Sequence, residues 1–241
     1  MELIITKDID ELSEQAAAWI ITYIETVLKK QARFTFVLSG GSTPKKLYQL
    51  LASGKYKNKI AWSKLHFFWG DERFVPFTDE RNNAKMAFEN LLNHVLVLKN
   101  QIHLMRTDIE PEAAAAEYEK LLHEYFHDTN HTFDLVLLGL GDNAHTLSLF
   151  PGYDIVNEKK NWVKSFYLEE QKMYRITLTA PVVNAAGRVA FLVSGSDKAA
   201  ALYHVLSDKH DPDLYPAQII QPYNDELYWW VDEAAAADIN D

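Results

Sequence analysis

One histidine lies in a glycine-rich turn behind an apolar run and is the first candidate for chemistry. The turn GLGDNAHTLSLFPG, at 139–152, follows the buried-type strand Leu135–Leu138 and presents His145. In an open α/β sheet, the loops at the carboxyl ends of the strands form the ligand crevice. Histidine is also the side chain whose unperturbed pKa lies nearest neutrality. We therefore predict that His145 is an acid–base catalyst; the alternative is a structural histidine with an ordinary hydrogen bond.

A second glycine-containing turn is typical of an anion site. SGGSTP, at 39–44, lies between a predicted strand and a predicted helix, with Thr43 as a capping residue and Pro44 in the first helical turn. Backbone N–H groups and the helix dipole favour a bound anion there, although the spacing is not that of a nucleotide P-loop. A capped tight turn is the alternative. The candidate anion ligands are Gly40, Gly41, Ser42 and Thr43.

Charged residues follow two other apolar runs. Asp71, Glu72 and Arg73 come after one run, and Lys198 comes soon after another, near the start of a predicted helix. A lysine at that end of a helix opposes the helix dipole unless an anion lies between them. Solvated surface charges are the alternative, but the expected nearness to the glycine turns favours substrate binding.

Two motif matches are interpreted as coincidental. The GxGxxA pattern at 139–144 resembles a dinucleotide fingerprint, but Pro151 follows too soon for the long helix that this motif opens. The HExxH pattern at 123–127 matches that of zinc proteases. Helical spacing places its two histidines on the flank that faces solvent. We therefore predict neither a dinucleotide cofactor nor a metal.

Composition restricts the partners. The 241 residues carry a formal net charge of −10, which argues against nucleic acid or an anionic membrane surface, since both require a basic face. The absence of cysteine excludes disulfides and thiol catalysis. No apolar run reaches the roughly 18 residues of a membrane span. The acidic N-terminal sequence is unlike a signal peptide, which predicts a cytoplasmic protein.

Alternating strands and helices predict an α/β fold: a Rossmann-like sandwich with a mostly parallel central sheet flanked by helices. No linker divides the chain, so 1–241 is predicted as one domain. The predicted strands are Glu2–Thr6, Phe34–Leu38, Leu65–Trp69, Gln101–Met105, Leu135–Leu138, Trp162–Phe166, Arg175–Thr179, Arg188–Val193 and Leu227–Val231. The predicted helices are Ser13–Leu28, one from Pro44 through Leu51, Asn82–Leu92, Pro111–Phe126, one ending at Leu206, and a short closing helix, Asp232–Ala237.

Five segments together resemble the 6-phosphogluconolactonases of the glucosamine-6-phosphate deaminase/isomerase superfamily. They are SGGSTP at 39–44, FFWGDERFVP at 67–76, GLGDNAHTLSLFPG at 139–152, RITLT at 175–179 and GSDKAAAL at 195–202. The resemblance implies hydrolysis of 6-phosphogluconolactone to 6-phosphogluconate in the oxidative pentose phosphate pathway. It also implies a Rossmann-type sandwich fold, and a reaction that needs no organic cofactor or metal.

The resemblance also assigns roles to residues. The family's catalytic histidine matches His145, and its sugar-phosphate contacts match the 40–43 turn and Lys198. Arg73 and Arg175 are implied as further anion contacts, and Asp71 stands beside Arg73. The family usually has Asp-Gly before the histidine, where this chain has Asn143 and Ala144.

Two alternative functions remain open from the sequence. The related deaminase/isomerases typically carry a glutamate five residues after the histidine, where this chain has Phe150. A non-catalytic sugar-phosphate sensor is suggested by Asn143, since the carboxylate is missing. The chain is expected to act as a monomer or a homodimer.

Overall fold

Six parallel strands form the central sheet of the computed structural model, which describes residues 1–129, 131–206 and 209–239. The strands of the described chain are β1 Glu2–Thr6, β2 Phe34–Leu38, β3 Leu65–Trp69, β4 Asp71–Arg73, β5 Leu135–Leu138, β6 Val163–Leu168, β7 Met173–Leu178, β8 Arg188–Val193 and β9 Leu227–Asp232. The central sheet has the order β1-β9-β8-β5-β2-β3. The predicted α/β fold with a mostly parallel sheet is confirmed.

Helices cover both faces of this sheet. They are α1 Ile9–Leu28, α2 Ser42–Leu51, α3 Asn83–Asn90, α4 Pro111–Phe126, α5 Ala180–Asn184 and α6 Ala199–Leu206. Because side chains alternate along a strand, Phe36 packs on the face covered by α1, α2 and α3, and Val37 packs on the face covered by α4, α5 and α6. Every residue of β2 and β5 is buried, as parallel strands between two helical layers require.

The direction of the strands decides where the site lies. All neighbouring pairs in the central sheet are parallel, so the carboxyl ends of the six strands meet at one edge. The turns after β2, β3, β5, β8 and β9 therefore share that edge, and four of them carry the candidate residues of the sequence. This is the position at which open α/β sheets bind ligands.

A second, antiparallel sheet corrects part of the prediction. The charged segment Asp71–Arg73, predicted as a turn, is strand β4 of a three-stranded sheet with the order β4-β7-β6. Gly70 joins this strand to β3: its N–H donates to Leu38 O, and its carbonyl accepts from Leu178 N. The predicted strands Trp162–Phe166 and Arg175–Thr179 correspond to β6 and β7 of this small sheet.

Two other predicted elements are wrong, and several boundaries differ from the prediction. The predicted strand Gln101–Met105 is wrong, because only Ile102 bridges to Phe67 and a 3₁₀ turn precedes it. Helix α1 begins before Ser13, since the Asp8 side chain caps it. Helix α3 ends at Asn90 and a 3₁₀ turn follows. The predicted closing helix Asp232–Ala237 is also wrong, because Asp232 is the last residue of β9 and a 3₁₀ turn, Ala237–Ile239, comes later.

None of the described helices is both long enough and apolar enough to cross a membrane.

Candidate active site

A cleft of about 140 Å³ opens at the carboxyl edge of the central sheet. Two turns, strand β4 and the start of α3 form its walls, so residues far apart in sequence meet there. Of the predicted site residues, the cleft brings together Gly40, Gly41, Asp71, Arg73 and His145. Its other lining residues are Ser39, Asn83, Gly139, Leu140, Gly141, Thr146 and Leu147.

The turn after β5 holds His145 by backbone and side-chain hydrogen bonds. Gly141 N donates to His145 O at 2.8 Å, and Thr146 Oγ1 donates to Gly139 O at 2.9 Å. A β-carbon at Gly141 would lie 2.0 Å from His145 Nδ1, so only glycine lets the imidazole pack there. Ala144 has a φ of 61°, a left-handed conformation that glycine adopts more readily.

Asn143 fixes the orientation of the catalytic candidate. Its Oδ1 lies 2.5 Å from His145 Nδ1 and also accepts the His145 backbone N–H at 3.3 Å. Because an amide oxygen only accepts hydrogen bonds, Nδ1 of the neutral ring carries the proton and Nε2 carries the lone pair. The turn therefore presents His145 with Nε2 available as a base.

The surroundings of His145 keep its imidazole neutral. Burial lowers the pKa of His145 to about 4, and Arg175 and Lys198 act in the same direction, while Asp71 and Asp142 raise it. The ring stacks on Phe150 with centroids 4.1 Å apart and an interplanar angle of 17°. Phe150 thus supplies much of the apolar contact that disfavours the imidazolium.

Asp71 is the polar centre of the cleft wall. Its Oδ2 accepts from Ser148 Oγ at 2.7 Å and lies 3.7 Å from Arg175 Nη1. Its Oδ1 lies 3.3 Å from Asn83 Nδ2, which also donates to Asp71 O at 2.9 Å. Asp71 is only 8% exposed, so these donors hold its carboxylate in one orientation.

Glu72, the neighbouring carboxylate, binds backbone N–H groups at the start of α3. It is buried and accepts hydrogen bonds from the backbone N–H groups of Arg73, Asn83 and Ala84 at 2.9, 2.7 and 2.9 Å. Burial raises its pKa to about 7, and the three N–H donors oppose that rise. Glu72 therefore ties the start of α3 to β4 and brings Asn83 to the cleft.

Two arginines lie opposite each other on adjacent strands of the small sheet. Arg73 pairs with Arg175 in the register of β4 and β7, so their side chains lie on the same face. Arg73 donates to Arg81 O at 2.9 Å, and Arg175 donates to Gln171 Oε1. The Nε atoms of both arginines are buried and have no hydrogen-bond partner among the described residues. Two like charges with free donors at one place are suited to an anion.

The turn after β2 differs from the prediction in its cap. Helix α2 begins at Ser42, its cap is Gly41, and no side chain caps it, so the prediction of Thr43 as the capping residue is wrong. Thr43 instead lies buried in the first helical turn, and Ser42 is exposed. Tyr48 Oη accepts from Ser39 N at 2.8 Å and anchors the turn to its own helix.

Lys198 lies outside the walls of the cleft but within electrostatic reach of His145. It ends the 3₁₀ turn Ser196–Lys198 that leads from β8 into α6, as expected for a residue near the first turn of a helix. Its Nζ is 2.9 Å from Asp197 Oδ2, an exposed carboxylate.

Sequence reasoning missed the polar residues that hold the charged ones. Asn83 and Gln171 reach the site from segments whose sequence carries no catalytic pattern. Ser148 lies inside the histidine turn, three residues after His145, and that nearness is the one signal that pointed to it. The register between β4 and β7, which places Arg175 opposite Arg73 and within 3.7 Å of Asp71, is not visible in the sequence.

The HExxH match lies elsewhere, and its histidines have other partners. The His123 ring packs at a tilt against Trp162, with centroids 4.1 Å apart, and His127 Nε2 lies 2.6 Å from Asp128 Oδ2. Both histidine side chains are more than half exposed. Within the described ranges, no group of three or more His, Cys, Asp or Glu side chains is arranged to hold a metal ion.

Comparisons with known proteins agree with this architecture. A family model described as glucosamine-6-phosphate isomerases/6-phosphogluconolactonase matches residues 7–229. A 6-phosphogluconolactonase of Nostoc sp. is 40% identical over 225 residues, covering 92% of this chain and 91% of that protein. One of Synechocystis sp. is 37% identical over 243 residues, covering 99% and 98%. The solved structure of 6-phosphogluconolactonase from Trypanosoma brucei superposes with a TM-score of 0.85 at 27% identity, over 99% of this chain and 98% of that one. The chain therefore belongs to the family of glucosamine-6-phosphate isomerases and 6-phosphogluconolactonases.

Proposed function

We propose that this chain hydrolyses 6-phospho-D-glucono-1,5-lactone to 6-phospho-D-gluconate, a step of the oxidative pentose phosphate pathway. The names of its relatives support the reaction. The observation that carries the mechanism is the 2.5 Å contact between Asn143 Oδ1 and His145 Nδ1, because it leaves Nε2 as a base at the cleft. Asn143 is thus the second residue of the proposed catalytic pair.

The reaction needs one base and one acid in sequence, and His145 serves as both. Its Nε2 removes a proton from water as the water oxygen attacks the lactone carbonyl carbon. The tetrahedral intermediate then breaks the bond to the ring oxygen, which takes the proton back from the imidazolium. Backbone N–H groups of the glycine turn that carries His145 stabilise the oxyanion.

The phosphate end of the substrate is assigned to the cationic side of the site. Lys198 and the turn formed by Gly40, Gly41, Ser42 and Thr43 are the proposed contacts, with Arg73 and Arg175 as further ones. The pairing of Arg73 with Arg175 on adjacent strands supports this, since two guanidinium groups at one place favour a phosphate anion. Binding at this remote group would orient the lactone carbon toward His145.

Phe150 favours the lactonase over the deaminase/isomerase. The deaminases typically carry a glutamate at this position, whereas here an apolar ring stacks on His145. A carboxylate there would raise the histidine pKa, and the phenyl ring supports a neutral base. The hydrogen bond that Asn143 Oδ1 accepts from His145 Nδ1 also argues against a non-catalytic sensor, because an amide can orient the imidazole without a charge.

The experiment compares lactone hydrolysis with the spontaneous background, using purified protein and glucosamine 6-phosphate as the control substrate. We expect lactone hydrolysis well above background and no release of ammonia from glucosamine 6-phosphate. Ammonia release would support the deaminase. Binding of 6-phosphogluconate without lactone turnover would support the sensor.

Four further expectations accompany this proposal. We propose that residues 1–241 form one domain, that the protein acts in the cytoplasm, that it is a monomer or homodimer, and that hydrolysis needs no cofactor or metal. A single cooperative unfolding transition, cell fractionation, the mass in solution and activity after dialysis against a chelator test them in turn.

A further inference from the structure

Strand β9 ends in a buried carboxylate that the proposed mechanism does not use. Asp232 is 5% exposed and lies at the carboxyl edge of the sheet, but not in the wall of the cleft. Its Oδ2 accepts from Ser194 Oγ at 2.6 Å, and its Oδ1 accepts from Gly195 N at 3.1 Å and from Ala235 N at 2.8 Å. No ion pair of Asp232 is found among the described residues.

These hydrogen bonds hold the first residues of the turn that carries Lys198. Gly195 has a φ of 103°, which residues with a side chain rarely adopt, so the chain reverses sharply there. Lys198 N donates to Gly195 O at 3.0 Å, which closes the 3₁₀ turn. The position of Lys198 relative to the sheet is therefore set at Gly195, and Gly195 is held by Asp232.

We propose that Asp232 is a positioning residue for phosphate recognition: it fixes the Ser194–Gly195 turn so that Lys198 meets the phosphate of the substrate. The proposal rests on the assignment of Lys198 to the phosphate in the proposed function. A buried carboxylate is costly unless donors satisfy it, and here two loop segments supply those donors. Burial of a carboxylate to hold this turn is explained if the geometry of the turn is needed for function. Lys198 is the charged residue that the turn carries.

The proposal predicts a specific pattern of losses. Without the carboxylate, Lys198 can leave its position, so binding of phosphorylated ligands should weaken while chemistry at His145 continues. A hydrogen bond to a charged group corresponds to roughly 10- to 150-fold in affinity, and partial displacement of Lys198 should cost about tenfold. Gluconate, which lacks the phosphate, should bind as before.

The test is a double-mutant cycle read by the dissociation constant of 6-phosphogluconate. Asp232→Ala should raise that constant about tenfold in the parent, and should change it less than twofold when Lys198→Ala is already present. Asp232→Asn should restore most of the affinity, because the amide oxygen still accepts from Gly195 and Ala235 and the amide nitrogen can donate to Ser194 Oγ. KM for the lactone should rise in Asp232→Ala with kcat within about twofold.

Glu158→Ala is the matched control. Glu158 also holds a turn through its carboxylate, accepting from the backbone N–H groups of 159, 160 and 161, but that turn precedes β6 and carries none of the proposed ligands. The control should leave the affinity for 6-phosphogluconate unchanged. If Asp232→Ala does not fold, Ser194→Ala replaces it in the same cycle, with an expected loss of about two- to threefold.

Three results would overturn the proposal: equal losses for gluconate and 6-phosphogluconate, additive losses in the Lys198→Ala background, or no loss from Lys198→Ala itself. A failure of the proposed function is seen separately. In that case the lactone is not hydrolysed by the parent protein, while the binding cycle still shows whether Asp232 and Lys198 are coupled.

Discussion

Asn143 Oδ1 accepts hydrogen bonds from both the backbone N–H and the Nδ1–H of His145, at 3.3 and 2.5 Å. The same oxygen thus fixes the turn and the ring. An amide in this position orients the imidazole but adds no negative charge, in contrast to the aspartate that the family usually carries. The pKa of His145, lowered to about 4 by burial, is consistent with the missing charge.

Asn143→Asp should move the acid limb of kcat/KM to higher pH. The general base must be neutral, so kcat/KM falls as pH drops through the pKa of His145, which lies at about 4. A carboxylate in contact with Nδ1 stabilises the imidazolium and raises that pKa, by on the order of one unit. The pH–rate profile of the variant should therefore lose activity at a higher pH than the parent does.

Asp142→Asn is the comparison for this prediction. Asp142 is exposed and raises the pKa of His145 through its charge alone, with no hydrogen bond to the ring. We expect its removal to shift the limb slightly downward, by less than Asn143→Asp shifts it upward. A large shift from Asp142→Asn together with an unmoved limb in Asn143→Asp would assign the supporting carboxylate to Asp142 instead.

Lys198→Ala should weaken binding of 6-phosphogluconate and leave that of gluconate nearly unchanged. A hydrogen bond to a charged group is worth roughly 1.5–3 kcal/mol, and only the phosphorylated ligand would lose it. Calorimetric titration with both ligands measures the difference. Lys159→Ala, at an exposed lysine of the turn before β6, serves as the control and should change neither. Equal losses for both ligands would indicate that Lys198 supports the fold.

His103→Gln should lose less stability than the parent as the pH falls from 7 to 4. Burial, and then the charges of His66 and Arg33, lower the pKa of His103 to about 4, below the roughly 6.5 of an unfolded chain. Its contribution to the free energy of unfolding is therefore complete above pH 6.5 and is lost as pH falls toward 4. For one such group, the slope of the free energy of unfolding against pH is at most about 1.4 kcal/mol per pH unit.

Urea unfolding of the parent and His103→Gln between pH 7 and pH 4 measures that difference in slope. His94→Gln, at an exposed histidine, should keep the slope of the parent. His66 still titrates in His103→Gln, so the slope should shrink without vanishing. Identical slopes for parent and His103→Gln would contradict the assignment.

The sequence predicts the central sheet well because its inner strands are short apolar runs buried on both faces. Leu65–Trp69 and Leu135–Leu138 agree with the structure to the residue. Asp71–Arg73 could not be predicted as a strand, since three charged residues fit a solvated turn equally well. Its strand character comes from pairing with β7, about a hundred residues later, and long-range pairing leaves no periodic signal.

Some parts of the candidate site could likewise be predicted from the sequence, and others could not. His145, Asp71 and the glycine turns follow strands of one parallel sheet, so their meeting at one edge follows from topology. The positions of the partners of Asp71 do not follow from the topology. The position of Asn83 depends on where α3 begins, and that of Arg175 depends on the register of β7. Thr43 is not the cap because the helix starts at Ser42, two residues before Pro44, with Gly41 as its cap.

The central claim is that His145 is the base of a lactone hydrolase, and one side-by-side assay tests it most directly. Parent and His145→Ala are compared in 6-phosphogluconolactone hydrolysis above the spontaneous rate, with 6-phosphogluconate binding measured on both. A positioned acid–base group contributes about 10²–10⁴-fold, so the variant should lose that factor in kcat and bind product with nearly unchanged affinity. Hydrolysis by His145→Ala at the rate of the parent would contradict the account.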